Sequence, residues 1–294
     1  MVFSTKIITI GDSYSAGIGI NIHENPQETE SLWQRQKIDG IEYNLGENGF
    51  IFGRCTRYLE TTPGPRLAKE QNLESVVLAC GGATIPNLQD QFDLLLEEYP
   101  EERAVNFRGS TILFTIGLND TESEDGHYWF RVLVNCLAKF FDGGAKCARR
   151  NENQLSNTDD IQSNLLIFVE RLVAEASEAK IRIFGYGKLY QRKGKDCEAF
   201  GVSNELADLL DEDYFGGVNS VSASIAATIK TANPKVDIKY VDPTDYLTVG
   251  SCNPNKDLQH LNGFSLIGLP INAICYHPSQ LGYDQYYHAL NDSL

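Results

Sequence analysis

Basic residues are scarce in this chain. Its 294 residues hold 25 Lys and Arg against 40 Asp and Glu, a formal net charge of −15 at pH 7. Nucleic acid and anionic membrane surfaces both need a basic patch, so neither is expected as a stable partner. Brief contact with a neutral lipid interface stays open. No apolar run approaches the ~20 residues that a membrane span requires. Among seven Cys and five His there is no Cys-x-x-Cys and no His-Glu-x-x-His, so no metal site is expected. Internal repeats and low-complexity linkers are missing as well. The only methionine is Met1, and the stretch Met1 to Lys6 lacks the apolar segment of a signal peptide. The expectation is that a signal segment was removed and Met1 added for expression.

Enough apolar material remains for a full core, 42% of the chain. Five short apolar runs bounded by turn residues read as buried parallel strands: Lys6–Ile10, Ser75–Ala79, Thr111–Ile116, Ile181–Tyr186 and Asp237–Val241. Helical patterns lie between them, at Leu88–Tyr99 after Pro86, Gly126–Phe141, Asp159–Lys180 and Asn219–Thr231. A last one, Ser279–Leu290, follows Pro278. Alternation of this kind predicts a three-layer α/β/α sandwich around a five-stranded parallel sheet. Residues 1–294 are expected to form a single domain, because the chemistry-bearing motifs come from both ends of the chain. Two long irregular stretches, Asn21–Glu60 and Asp242–Asn272, are of the length that usually shapes a site or is braced by disulfides. Trp33, Tyr43, Phe50 and Phe52 in the first are candidate cleft residues, and plain packing serves each equally well.

Three motifs sit at the ends of strands. Gly11-Asp12-Ser13 follows the first strand, and Ala16-Gly17 predicts a helix opening after it. Gly117-Leu118-Asn119-Asp120 follows the third strand, and His277-Pro278 precedes the last helix. A serine at the carboxyl end of a strand lies on the ligand-binding edge of an open α/β sheet. Ser13 needs an adjacent base to become a nucleophile, and His277 can take that role and then protonate the leaving alcohol. The competing role for Ser13 is a helix N-cap. Asp12 is expected to support the turn. His23, His127, His260 and His288 stand in no matching motif.

Gly-Asp-Ser alone recurs by chance, but Gly-Asp-Ser, Gly-x-Asn-Asp and His-Pro in this order resemble the SGNH (GDSL) hydrolase superfamily over Gly11 to about Leu290. The likeness is to its secreted bacterial and fungal esterase/lipase branch, whose fold is flavodoxin-like. The resemblance implies a serine ester hydrolase with an acyl-enzyme on Ser13, His277 as base and no cofactor. The oxyanion would be held by the Ser13 and Gly82 backbone N–H groups and the Asn119 side chain. Ala79-Cys80-Gly81-Gly82-Ala83 is similar to the family's Cys-x-Gly-Ala block, which selects Gly82; a simple tight turn is the other reading. Much of the family carries an Asp three residues before the base, where this chain has Ile274. Some relatives use a main-chain carbonyl there, so the Ile274 carbonyl is expected to orient His277, with Asp245 or Asp284 as the alternative source of charge.

The same resemblance implies disulfides Cys55–Cys80, Cys136–Cys147 and Cys197–Cys252, each stabilising by about 2–4 kcal/mol if unstrained. Cys275 is left over, either as a buried free thiol or as a thiol beside the site. Disulfides imply an oxidising compartment, hence a secreted protein. A monomer is expected, acting on a small-molecule, lipid or carbohydrate ester. Asn119-Asp120-Thr121 is a glycosylation sequon that should go unused; Asn291-Asp292-Ser293 is the better acceptor. Two other readings stay open: a carbohydrate acetylesterase, and a binding module on the same fold, supported only by the missing Asp.

Overall fold

A computed structural model describes residues 5–17, 62–138, 154–190, 202–253, 255, 258–261 and 277–294. Five strands form its centre: β1 (Lys6–Gly11), β2 (Glu74–Val77), β3 (Thr111–Thr115), β4 (Lys180–Phe184) and β5 (Asp237–Val241). All neighbours pair in parallel, in the order β2-β1-β3-β4-β5. β1 and β3 are buried along their whole length, as central strands covered on both faces must be. The chain order reverses between β1 and β3. In an open α/β sheet, ligands bind outside the carboxyl ends of the strands at that point.

Around the sheet stand α1 (Pro63–Gln71), α2 (Ile85–Glu98), α3 (Pro100–Ala104), α4 (Trp129–Ala138), α5 (Thr158–Glu175), α6 (Asn204–Asp208), α7 (Gly216–Ala232) and α8 (Gln280–Ser293). Successive strand residues point to opposite faces, and this divides the helices into two layers. On the Leu113 and Arg182 face lie α1, where Gly64 packs against Thr9 and Leu113, and α8, whose Ser293 carbonyl accepts from Arg182 Nε at 3.2 Å. On the Phe114 face lie α2 and α5. Phe168 of α5 meets Phe114 and Phe92 edge-on, with centroids 5.7 and 5.9 Å apart. α7 packs beside α5. The result is the three-layer sandwich expected from the sequence.

All five strands fall where the periodicity placed them, with ends shifted by a residue or two. β4 stops at Phe184, because Tyr186 turns inward to bond the turns after β1 and β3. Helix ends differ more. α1 was not expected, although Pro63 and Pro65 stand in its first turn. Proline in a first turn sacrifices no helical hydrogen bond, so the helix tolerates it there. α7 starts at Gly216 rather than Asn219. It continues from a π-helical segment, Leu209–Phe215, which buries Leu210, Tyr214 and Phe215. α5 ends at Glu175 rather than Lys180, where the chain turns back into β4. Of the long stretch 242–272, residues 242–253, 255 and 258–261 are described; 21–60 lies outside the described residues.

Candidate active site

The turn after β1 is built by groups distant in sequence. Gly11 has φ +115°, and a Cβ there would lie 2.4 Å from the Thr115 carbonyl, so only glycine fits. On its other side the Gln91 carboxamide acts as a substitute strand partner: Gly11 N–H donates to Oε1 at 2.6 Å and Nε2 donates to the Gly11 carbonyl at 3.0 Å. Asp12 N–H donates to the Thr115 carbonyl at 3.0 Å, and Ala16 N–H to the Asp12 carbonyl at 2.8 Å, closing one turn around Ser13. That turn stands where the sequence predicted a helix opening, and the residues after Gly17 lie outside the described ones. Asp12 Oδ1 accepts from Tyr14 N–H at 3.0 Å, and the Tyr186 hydroxyl donates to Oδ2. Asp12 therefore supports the turn. Ser13 is buried with only 7% of its surface exposed.

Asn119 stands in the short 3-10 turn Leu118–Asp120 after β3. Its Nδ2 donates to the Ala83 carbonyl at 3.0 Å, which ties this turn to the turn after β2. An amide nitrogen carries two N–H bonds, so the second stays available to a substrate. In the β2 turn Gly82 has φ +77°, the left-handed conformation. Cys80 N–H donates to the Gly11 carbonyl at 2.9 Å, which holds that turn against the turn of Ser13. Tyr186 joins the β1 and β3 ends directly: Leu118 N–H donates to its hydroxyl at 3.2 Å and the hydroxyl donates to Asp12. Asn219 of α7 fixes Tyr186 in turn, through bonds of 2.7 and 2.8 Å to its N–H and carbonyl.

His277 is buried at the start of the last described segment. Its ring packs on Tyr14, the neighbour of Ser13, with centroids 5.5 Å apart and planes at 45°. The backbone behind it is anchored to the irregular stretch after β5. Pro278 bridges to Leu261, Ser279 N–H donates to the His260 carbonyl at 2.9 Å, and Ser279 Oγ donates to the Gln259 carbonyl at 2.6 Å. Gln259 Nε2 then donates to the Ser251 and Asn253 carbonyls at 3.1 and 2.6 Å. His260 itself is buried, which depresses the pKa of its imidazole.

Burial also dominates the carboxylates. The Asp12 carboxyl is pushed up to about 7 by desolvation, against the opposing hydrogen bond from Tyr186. Asp120 rises to about 7 for the same reason, while its two oxygens accept Ile85 N–H at 3.0 and 3.1 Å and so cap α2. Beside Asn119 opens a cleft of about 350 Å³, lined by Thr84, Asp120, Thr121, Glu122 and Tyr128 among others.

The remaining sequence candidates divide clearly. Asp284 is held by Arg66 Nη1 at 2.6 Å, and Asp245 is exposed in the turn after β5. Among the described residues no three His, Cys, Asp or Glu side chains could hold a metal. Ile274, Cys275, Cys55, Cys147, Cys197 and the aromatic residues of the 21–60 stretch lie outside the described residues. Gln91, Tyr186 and Gln259 were missed, because each acts across a gap in sequence that no local pattern reveals.

No protein-family model and no curated protein matches this sequence. Likeness to solved structures is extensive. Phospholipase A1 from Streptomyces albidoflavus NA297 superimposes with a TM-score of 0.65 at 20% identity, covering 99% of this chain and 100% of that one. An extracellular lipase from Streptomyces rimosus does so with a TM-score of 0.66 at 18% identity, again covering 99% and 100%. The chain has the SGNH hydrolase fold. In this SGNH fold the turns that carry Ser13, Gly82 and Asn119 are bonded to one another at the ends of β1, β2 and β3, beside the switch point. No described helix is long and apolar enough to cross a membrane.

Proposed function

We propose that residues 1–294 form a single SGNH domain that acts as a secreted, cofactor-free serine ester hydrolase. Ser13 Oγ attacks the ester carbonyl while His277 takes its proton, and the Ser13 and Gly82 N–H groups with Asn119 hold the oxyanion. The C–O bond to the alcohol then breaks, with His277 returning the proton to the leaving oxygen. Water, activated by the same imidazole, releases the acid from the acyl-enzyme. The Ile274 carbonyl orients His277; the engagement of Asp284 with Arg66 supports this over Asp284 as the partner.

One observation carries the reading. The His277 ring rests on Tyr14, so residues from opposite ends of the chain meet beside Ser13 at the edge that already holds Asn119 and the Gly82 turn. Secretion is supported by the cysteines: Cys80, Cys136 and Cys252 are half-cystines, one from each proposed pair with Cys55, Cys147 and Cys197. Lipid or simple acyl esters are the favoured substrates, in line with the names of the two Streptomyces enzymes. The cleft beside Asn119 favours a second reading, a carbohydrate acetylesterase. Thr84, Asp120, Thr121 and Glu122 offer polar groups to sugar hydroxyls, and Tyr128 offers a ring.

Hydrolysis of p-nitrophenyl esters from acetate to palmitate, measured beside Ser13→Ala, tests both. An optimum at medium or long acyl chains that vanishes in the variant supports the lipase reading. Activity confined to acetate supports the second. Activity that survives Ser13→Ala overturns the mechanism.

A further inference from the structure

Asn119 can help to hold an oxyanion only while its turn keeps a fixed distance from the turn of Ser13. The strand ladder does not reach that far. Asp12 N–H donates to the Thr115 carbonyl at 3.0 Å, and Thr115 N–H donates to Ser15 Oγ at 2.8 Å. Both bonds meet the last residue of β3. Beyond it the chain leaves the strand at Gly117 and enters the 3-10 turn that carries Asn119. The Asn119 carboxamide and the Asp120 carboxyl tie this turn to Ala83 and Ile85, on the side of β2 and α2.

Toward Ser13 the turn is held by a side chain from another strand end. Tyr186 stands two residues past β4. Its hydroxyl accepts Leu118 N–H at 3.2 Å and donates to Asp12 Oδ2. Leu118 N–H is the first of the 3-10 turn, where no carbonyl of the turn itself can accept it. Leu118, Tyr186 and Asp12 are all buried, so water is not at hand to replace the hydroxyl. A hydroxyl that accepts and donates at once strengthens both bonds. The hydroxyl is also aimed. Asn219 of α7 accepts Tyr186 N–H at 2.7 Å and donates to its carbonyl at 2.8 Å. The rings of Tyr14 and Phe215 meet the Tyr186 ring edge-on, with centroids 4.9 and 5.8 Å away.

We propose that Tyr186 is a positioning residue for ester hydrolysis: by bridging Leu118 and Asp12, its hydroxyl sets the Asn119 donor at its working distance from Ser13. The role presupposes the esterase reading, in which Ser13 and Asn119 meet the same carbonyl. Without the hydroxyl the Asn119 amide is still present, but its turn is free to drift. That costs stabilisation of the transition state rather than binding of the ester.

Tyr186→Phe removes the hydroxyl and keeps the ring. With a p-nitrophenyl ester, kcat should fall about tenfold while KM stays within about twofold of the parent. In an Asn119→Ala background the same change should cost less than about twofold, because the donor it positions is gone. A general loosening of the fold would cost the same factor in both backgrounds. Asn219→Ala, at a half-buried site, frees the Tyr186 backbone and is the second variant. It should lower kcat about threefold, again only while Asn119 is present, and it decides the matter if Tyr186→Phe fails to fold. Equal losses in both backgrounds, or a raised KM at constant kcat, overturn the proposal. The bridge also has a readout without turnover. Hydrogen exchange of the Leu118 amide should quicken about tenfold in Tyr186→Phe, with the β3 amides at their parent rates. An unchanged Leu118 amide overturns the bridge. A parent whose Ser13 takes no fluorophosphonate label overturns the esterase reading and the positioning role with it; a faster Leu118 amide then leaves the bridge a purely structural one.

Discussion

The proposed nucleophile and the proposed base are held in different ways. Ser13, Gly82 and Asn119 follow β1, β2 and β3, three adjacent strands, and their turns are bonded to one another through Cys80, Tyr186 and Ala83, with Gln91 bracing Gly11. That side is an extension of the sheet. His277 opens the last described segment, just ahead of α8. Among the described residues, the backbone after it is tied to the irregular stretch after β5 by the Pro278 bridge to Leu261 and the bonds of Ser279 to residues 259 and 260. α8 is bolted elsewhere, by Arg66 to Asp284 and by Arg182 and Lys239 to the Ser293 carbonyl. An error in the nucleophile's frame is therefore an error in the core. An error in the base's frame can spare the core and still disturb the reaction.

Substitutions should separate the two sides. The largest effect on turnover outside the proposed reacting pair should come from Asn119→Ala, which removes the proposed oxyanion donor and the bond to Ala83. A loss of about 100–1,000-fold in kcat is expected, with KM little changed, in steady-state ester hydrolysis. Gln91→Met should act on the fold instead. It strands the buried N–H of Gly11, at about 1–3 kcal/mol, and leaves the Gly11 carbonyl with the Cys80 N–H alone, read by urea denaturation. Gln259→Leu should lower kcat about tenfold through small displacement of His277, and its lost bonds to the Ser251 and Asn253 carbonyls should cost less stability than Gln91→Met does, since only the first of them is fully buried. If Gln259→Leu unfolds the protein as readily as Gln91→Met does, the two frames are one, and the contrast drawn here is wrong.

A further effect concerns pH. Asp12 has a folded pKa of about 7 through burial, against about 3.9 when unfolded. Between these values the folded chain keeps a proton that the unfolded chain has lost. The Asp12 contribution to stability thus falls as pH rises from about 4 to about 7 and is level outside that window. Asp120 works in the same direction. Asp12→Asn should remove its share, so stability plotted against pH becomes less steeply falling over that window. An unchanged slope would mean that Asp12 is ionised throughout.

The sequence disclosed the frame around Ser13 better than the frame around His277, for a physical reason. Strand, turn and glycine signals are local, so β1 to β5, the Gly-Asp-Ser turn and the Gly-x-Asn turn could be read directly. Of Gly81 and Gly82, only Gly82 has a positive φ. His277 was legible through its motif, but its supports were not. Gln259 sits in a stretch without periodicity, and its bonds reach carbonyls rather than side chains, so residue types carry no trace of them. Tyr186 read as the end of a strand, because only the three-dimensional order β1-β3-β4 brings its hydroxyl to Asp12. Pro63 to Pro65 hid a helix, since proline's compatibility with a first turn depends on where the turn starts.

The most direct measurement is covalent labelling by a fluorophosphonate, with the modified peptide located by mass spectrometry. The account predicts rapid modification of Ser13 alone in the parent chain and slowing by orders of magnitude in His277→Ala with the fold intact. Modification of another residue, or labelling of Ser13 at the same rate without His277, would contradict it.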